Sequence, residues 1–229
     1  MKRLFLTILF LTFCGTAFAG ESQLQKATNV VNEIMGTPDK GIPDELLEKS
    51  VCVGIVPSQV KFALGIGGTY GRGVLVCRKG VNGAWDAPSM FTLGAASIGF
   101  QIGGKATDVI FLVMNPEGMR KLVQDSVKLG AELSAAAGPV GRSAEGATDA
   151  QLHAEILSYS RTRGLFAGAS LDGAVVKQDR GDNEELYGRK VTAKEILIDG
   201  TVLTPQAAQA LDSALTKYSP KGGRTFARL

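Results

Sequence analysis

The chain has 229 residues, of which 45% are hydrophobic and 21% charged, and its formal net charge is +3. This composition excludes a disordered chain, and the nearly neutral charge argues against a dedicated nucleic-acid binder, which needs a concentrated positive field. The one histidine, His153, excludes a multi-histidine metal site and leaves a Ser/His/Asp triad a single candidate base.

The first residues have the three parts of a secretory signal peptide. Lys2 and Arg3 are basic, residues 4–13 are almost wholly apolar, and Ala17 and Ala19 are the small residues that a signal peptidase reads. The apolar run has about half of the roughly 20 residues that a membrane-spanning helix needs. The pattern therefore predicts cleavage after Ala19.

Cleavage divides the chain into a signal peptide over residues 1–19 and a single domain over residues 20–229. We expect an exported protein that is periplasmic or associated with the cell envelope. A lipoprotein attached through Cys14 is the less favoured alternative, because the bulky Phe13 stands where a lipoprotein cleavage box has a small residue.

Two helices are predicted at the start of the domain. Between residues 23 and 35 the apolar side chains recur at three- and four-residue steps, which is the pattern of an amphipathic helix. A short second helix is predicted near Pro43, because proline fits a first turn and the acidic Asp44 and Glu45 suit the helix dipole.

From Val51 to Met114 the chain is dominated by β-branched runs and glycine. In residues 65–73 every odd position is Gly or Thr, so a strand there has one nearly bare face. Bare faces occur where a backbone, a bulky neighbour or a ligand comes close, or where a sheet bends sharply. The pattern therefore predicts a strongly curved sheet.

Cys52 and Cys77 lie in two of these β-branched runs, which read as neighbouring strands. An exported compartment permits disulfide formation, and neighbouring strands bring Cα atoms within bonding range. We therefore predict a Cys52–Cys77 disulfide. The alternative is a pair of buried free thiols.

The second half of the domain mixes short elements. Asn115 and the proline after it predict a helix that runs to about Gln124. Three strands are then predicted, over residues 128–137, 152–160 and 165–176. The chain ends in helices, for which Thr192 and Thr204 are the predicted N-caps.

Several motifs in this order resemble a known family. They are IVP (55–57), GGTYGRGVL (67–75), WDAPS (85–89), SIGFQIGG (97–104), AGPVGR (137–142) and SYSRTRGLFAG (158–168). Together they resemble the SYLF domain family of lipid-binding proteins. The resemblance implies an α+β fold, with a strongly curved, mainly antiparallel, glycine-rich β-sheet or barrel-like core packed by N- and C-terminal helices.

The resemblance also implies a non-enzymatic phospholipid-binding protein, here of the bacterial cell envelope, without catalytic residues, metal or cofactor. Eukaryotic relatives bind phosphoinositides, and some bind actin filaments. The predicted signal peptide directs this chain away from the cytoskeleton, so we expect membrane phospholipids as partners, and neither actin nor nucleic acid. The alternative is a structural or partner-binding envelope protein without a specific lipid ligand.

The predicted lipid site combines cations for the head group with apolar contacts. Arginine suits bidentate phosphate contacts. The predicted head-group residues are the cations closest to the family motifs, Lys61, Arg72, Arg161 and Arg163. The predicted apolar contacts are Phe62, Tyr70, Phe100 and Phe166. The alternatives are solvated cations at strand ends and aromatic side chains that belong to the core.

Overall fold

The computed structural model describes the greater part of the domain. It covers residues 19–36, 41–80, 83–99, 105–141, 148, 151, 153–162 and 164–219, with the backbone alone at 19, 62–66, 97–99 and 105. Within these residues, no helix has the length and apolar character needed to cross a membrane.

Helices stand at the start and at the end of the described chain, and one helix separates the strands between them. The first elements are α1 (Ala19–Met35), α2 (Asp44–Lys49), β1 (Cys52–Cys77), β2 (Ser89–Gly99), β3 (Lys105–Val113) and α3 (Pro116–Leu122). Five short strands follow: β4 (Ser126–Lys128), β5 (Ala135–Ala137), β6 (Ile156–Thr162), β7 (Leu165–Gly168) and β8 (Val175–Gln178). The last are α4 (Arg180–Tyr187), α5 (Ala193–Leu197), a 3-10 turn (Gln206–Ala208) and α6 (Gln209–Tyr218).

β1 is one run of extended backbone that folds back on itself as a hairpin. At its two ends, the amide of Arg78 donates a hydrogen bond of 2.9 Å to the carbonyl of Val51. The Cα atoms of Cys52 and Cys77 are 4.0 Å apart. The first half of β1 pairs with β3 and the second half with β2, so β1 supplies the middle of the sheet. We call the end with the two cysteines the base of the hairpin.

The strands form one strongly curled sheet, a half-barrel with the order β4-β8-β2-β1-β3-β6-β5. β7 adds a second partner to the edge of β6. Among the pairings of the described strands, β5 with β6 is parallel and the others are antiparallel. Helices pack at both ends of the chain, so the predicted α+β fold with a curved, mainly antiparallel sheet is confirmed.

Helices cover both faces of the sheet. On the α1 face, helices α1, α2 and α6 bury inward side chains of β1 such as Val53 and Ile55. On the opposite α3 face, α3 and α5 cover Val56 and Leu75. Successive β1 residues thus alternate between two apolar layers, as the two-residue period of a strand requires.

Several predicted elements are confirmed. α1, α2 and α3 lie where the sequence places them, and Asn115 caps α3 by accepting a 2.7 Å hydrogen bond from the Gly118 amide. Thr192 caps α5 in a reciprocal capping box with Glu195. The predicted disulfide is also confirmed, since Cys52 and Cys77 are bonded.

Other predicted boundaries are wrong. The strands predicted over residues 128–137 and 165–176 are each interrupted by a turn, at Gly130 and Gly173, whose φ angle of +80° is left-handed. The strand predicted from residue 152 begins at Ile156. Thr204 is not an N-cap, because its hydroxyl lies 3.3 Å from an oxygen of Asp86 instead.

Aromatic rings fill the bare glycine positions at the base of β1. A Cβ atom on Gly54 would lie 2.1 Å from Cζ of Phe111, and one on Gly73 would lie 2.4 Å from Cζ of Phe91. The two rings meet edge to face, with centroids 5.6 Å apart. The close approach that glycine allows here is therefore made by rings of the chain itself.

Candidate functional site

The structure does not bring the predicted head-group cations into one cluster. Arg72 on β1 and Arg161 on β6 both point to the α1 face, but they contact α1 at Gln23 and at Glu33 respectively. Ten helical residues separate these contacts, which is about 15 Å along the helix axis. Lys61 lies on β1 opposite Lys105 of β3. Arg163 lies outside the described residues.

Arg72 joins α1, β1 and α4. Its guanidinium lies 3.0 Å from Oδ1 of Asp182 and 3.7 Å from Oδ2 of Asp179. Its carbonyl oxygen accepts a hydrogen bond from the Gln23 side chain at 2.5 Å. Burial raises the pKa of Asp182, and the charges of Asp179 and Glu185 add to that rise while Arg72 opposes it. Arg72 is therefore engaged within the domain.

Arg161 fastens the other end of α1. Its Nε and Nη2 atoms donate to Oδ2 of Asp108 at 3.1 and 2.8 Å, and its Nη1 pairs with Glu33. Burial lowers the pKa of Arg161, but the hydrogen bonds to Asp108 and Glu33 outweigh this and raise it. Asp108 also accepts from the amide of Ser58, which has a left-handed φ of 53° at the β1 bulge.

The aromatic candidates differ in their surroundings. Phe166 stacks on the fully buried Tyr159, with ring centroids 5.4 Å apart and planes 10° apart. Tyr70 is about half exposed, at 49%. The side chains of Phe62 and Phe100 lie outside the described part of the chain. A role of these aromatics and of the four cations in lipid contact stays a prediction.

An exposed apolar row crosses the sheet at the end of β1 away from the cysteines. Gly71 lies against Gln59, so Tyr70 and Val60 are neighbours across the hairpin. In register, Tyr70 pairs with Gly94 of β2, and Val60 pairs with Ala106 of β3. We call these four residues the distal row. The alternation of Tyr70 with bare glycine positions is the sequence signal that points to this row. That alternation does not identify Val60.

The distal row lies on the α1 face. A Cβ atom on Gly71 would meet Val56, which belongs to the α3-face core. Neighbouring residues of a strand point to opposite faces, so Tyr70 points to the α1 face. Ala106 is on the same side as Ile110 of the α1-face core, and its partner Val60 shares that side. Val60 and Tyr70 are each 49% exposed. α1 thus covers the middle of this face and leaves its distal end open.

Two cavities lie away from the distal row. One of about 310 Å³ lies at the base of β1, and another of about 170 Å³ lies under α2. Ligand pockets begin at roughly 300 Å³, so only the first reaches that range. Its lining includes Val51, Lys79, Asp86, Pro116, Met119 and Leu197.

Arg78 also lines the cavity at the base of β1, and other residues of the chain occupy its guanidinium group. Its guanidinium lies 3.9 Å from the ring centroid of Trp85 and donates to the carbonyls of Ser50 at 3.2 Å and Gly83 at 3.1 Å. It also donates to the hydroxyl of Ser219, just after α6. This arginine is 5% exposed. It fixes the C-terminal helix to the base and is a structural cation.

Asp212 of α6 lies near Asp86 and Lys79 at the base of the hairpin. Burial raises the pKa of Asp212 to about 6, the charge of Asp86 adds to the rise, and Lys79 opposes it. Lys79 also pairs with Asp86 at 3.2 Å. Among the described residues, no three His, Cys, Asp or Glu side chains are grouped so as to hold a metal ion.

Comparison with known proteins identifies relatives. A family model described as "Ysc84: Las17-binding protein actin regulator" matches residues 94–218. The chain is 32% identical over 216 residues to LAS seventeen-binding protein 3 of Saccharomyces cerevisiae, which covers 89% of this chain and 46% of that protein. It is 30% identical over 220 residues to SH3 domain-containing YSC84-like protein 1 of Homo sapiens, covering 91% and 63% respectively. The chain spans about half the length of the yeast relative.

These relatives correct one expectation about partners. We predicted membrane phospholipids as the partners and no involvement of actin. That prediction is wrong, because the matching family is described as an actin regulator and its members are named for binding Las17 or for SH3 domains. The prediction rested on the signal peptide, which bears on the compartment but not on the surface that the domain presents.

Proposed function

The chain belongs to the Ysc84 family of Las17-binding actin regulators, and from this premise we propose that its domain is a non-enzymatic module that binds a protein of the actin-regulating class. The resemblance to SYLF proteins, drawn from the motifs, is thereby confirmed. The relatives are named for proteins that they bind or for binding domains, which supports a binding role.

The distal row is the observation that carries this proposal. Val60 and Tyr70 are each about half exposed on a sheet face whose middle is covered by helices. Tyrosine is enriched at protein interfaces, because its ring buries a large area while its hydroxyl finds a polar partner. A row of this kind on four adjacent strand segments offers a continuous contact surface on the curled sheet.

Phospholipid binding in a bacterial envelope is the narrower function that the SYLF resemblance implies. It competes with protein binding for the same row, because exposed aromatic and aliphatic side chains also suit a membrane interface. Export past the inner membrane is part of this narrower proposal and depends on the signal peptide predicted over residues 1–19.

Binding measurements on residues 20–229 test the proposal. The probes are purified Las17, actin filaments, and vesicles of phosphatidylethanolamine with phosphatidylglycerol. We expect Las17 or filaments to bind, and V60S/Y70S to weaken that binding at least tenfold by removing the apolar contact. Leu203→Ser is the matched control, since Leu203 is 91% exposed and lies far from the row in the sequence.

The outcomes distinguish protein binding from lipid binding. Loss in V60S/Y70S with wild-type behaviour of L203S supports the distal row as the protein-binding surface. Binding to vesicles alone, lost in the same double variant, overturns the protein partner and supports the narrower lipid function. Absence of binding to all three probes, or equal loss in both variants, overturns the proposed role of the row.

A further inference from the structure

The distal row continues beyond β2 to the edge of the sheet. Gly94 pairs in register with Val175 of β8, and Val175 pairs with Lys128 of β4. Directly opposed residues of an antiparallel pair share a face, so Val175 and Lys128 stand on the α1 face with Tyr70. Val175 is 36% exposed, and Lys128 is exposed as well. The open surface therefore runs from β3 to β4.

A second lysine borders the same surface. Lys177 follows Val175 by two residues on β8, which places both on one face. In register, Lys177 pairs with Ser126 of β4 and with Thr92 of β2, and its side chain is exposed. We call Lys128 and Lys177 the basic flank. It adjoins the apolar residues at the β4 edge of the sheet.

The chain itself does not neutralise the basic flank. Within the part of the chain that the structure describes, neither lysine ammonium group is paired with a carboxylate. The carboxylate of Asp125 pairs with Arg180, and that of Glu132 accepts a 3.3 Å hydrogen bond from the backbone amide of Lys128. Both ammonium groups are thus available to a partner.

The exposed charge on the adjoining part of this face is also mainly positive. Arg72 lies opposite Thr92 in register, and its side chain is 47% exposed. Its partners Asp179 and Asp182 are only 15% and 7% exposed. The cation therefore faces solvent while its carboxylates are withdrawn into the fold.

We propose that the segment which docks on the distal row is acidic and amphipathic, with apolar side chains over Tyr70, Val60 and Val175 and carboxylates opposite the basic flank. This inference rests on the proposed protein-binding function and names the chemistry of the partner. The row and the flank cross β3, both halves of β1, β2, β8 and β4, which is about 24 Å along the sheet at the usual strand spacing. A helix of about 16 residues has that length.

The two parts of this surface contribute differently to binding. Apolar contact supplies affinity, because it removes hydrocarbon area from water. Exposed ion pairs add little affinity, but they discriminate against partners of the wrong charge and speed association. We therefore expect the basic flank to act through the choice of partner and through salt dependence.

Two synthetic peptides of about 16 residues test the inference by fluorescence anisotropy with residues 20–229. Both carry leucine along one helix face, and the other positions are all glutamate in the acidic peptide and all lysine in the basic one. At about 50 mM salt we expect the acidic peptide to bind at least tenfold more tightly. At about 500 mM salt the difference should fall below about threefold, because salt screens exposed charges.

Charge reversal locates the effect. K128E/K177E should weaken the acidic peptide at least tenfold. R189E/K190E is the matched control, since it changes the net charge equally at exposed residues between α4 and α5 and should keep the wild-type preference. Val175→Ser should weaken both peptides by about threefold without changing their ratio, because it removes only apolar contact.

Separate outcomes bear on this inference and on the proposed function. Absence of acidic-peptide binding, equal affinity for both peptides, or equal losses in K128E/K177E and R189E/K190E overturns the acidic partner. If Las17 or filaments still bind and V60S/Y70S weakens them, the proposed function stands without it. Vesicles of phosphatidylglycerol that bind in place of the acidic peptide, with the same sensitivity to K128E/K177E, overturn it in favour of an anionic membrane.

Discussion

The two ends of the β1 hairpin are both rich in glycine and apolar residues, but one is packed and the other is partly exposed. At the base, the disulfide joins Cys52 and Cys77, and the rings of Phe91 and Phe111 fill the space left by glycine. At the distal end, a Cβ atom on Gly94 would lie 3.7 Å from the carbonyl oxygen of Thr69, the one contact that the described residues offer it. Tyr70 and Val60 stand half exposed beside it.

The difference shows that glycine in this sheet does not have one structural role. Gly54 and Gly73 face the α3-face core and make room for large rings from neighbouring strands. Gly94 of β2 faces the α1 side, where no ring covers it and the neighbouring Tyr70 stands half exposed. The exposure of Tyr70 and Val60 therefore follows from what their neighbours leave uncovered.

The largest effect is expected at the base, from C52S/C77S. Loss of a disulfide that spans 25 residues frees the unfolded chain and lowers the free energy of unfolding by about 3.5 kcal/mol in the chain-entropy model. Urea denaturation measures it. Binding through the distal row should persist under native conditions, and a loss of binding by the folded variant would show that the two ends are coupled.

Gly54→Ala is expected to cost about 2 kcal/mol of unfolding free energy, because its Cβ atom would lie 2.1 Å from Cζ of the buried Phe111 ring. Gly94→Ala is the matched control at the distal end. It is expected to be neutral or to stabilise by about 0.5 kcal/mol, since its Cβ atom has room and the unfolded chain loses freedom. Thermal unfolding of both variants decides; equal costs contradict the contrast between the two ends.

Asp212→Asn tests the electrostatic contribution of a carboxylate at the base. The folded pKa of Asp212, about 6, exceeds its ordinary value of 3.8, so its contribution to stability is present below about pH 4 and is lost as the pH rises to 6. At pH 8 the variant should gain roughly 1–2 kcal/mol after allowance for solvent screening, and at pH 4 nothing. Denaturation at the two pH values measures this. A gain that is the same at both pH values contradicts it.

Arg161→Gln gives the smallest effect, about 1 kcal/mol, because it removes a partly buried pair with Asp108 and a contact to Glu33. Hydrogen exchange should rise first in the last turn of α1. Gln23→Ala is the comparison at the other end of the same helix, where exchange should rise in the first turn because the Gln23 side chain donates to the carbonyl of Arg72. Uniform exchange along α1 in both variants contradicts separate fastening of its two ends.

Particular residues show how far sequence reasoning reaches. The first three helices and the cap at Asn115 follow from local spacing and turn chemistry, which act within a few residues. The disulfide and the curved sheet join residues far apart in the sequence, and their prediction rests on the β-branched runs and the glycine pattern. The interruptions at Gly130 and Gly173 were missed because an apolar run looks the same whether one strand or two short strands bury it. The exposure of Val60 depends on strands far along the chain.

The sequence by itself determined the first three helices and the family, and it favoured a Cys52–Cys77 pairing over two free thiols, because periodicity, ordered motifs and β-branched runs are local properties. Only the tertiary structure decided that Arg72 and Arg161 are tied to carboxylates and that Phe91 and Phe111 fill the glycine stripe. It alone left Tyr70 and Val60 open to solvent. The physical reason is that burial and charge pairing depend on which distant strands and helices meet, and the folding of β1 back on itself sets those meetings.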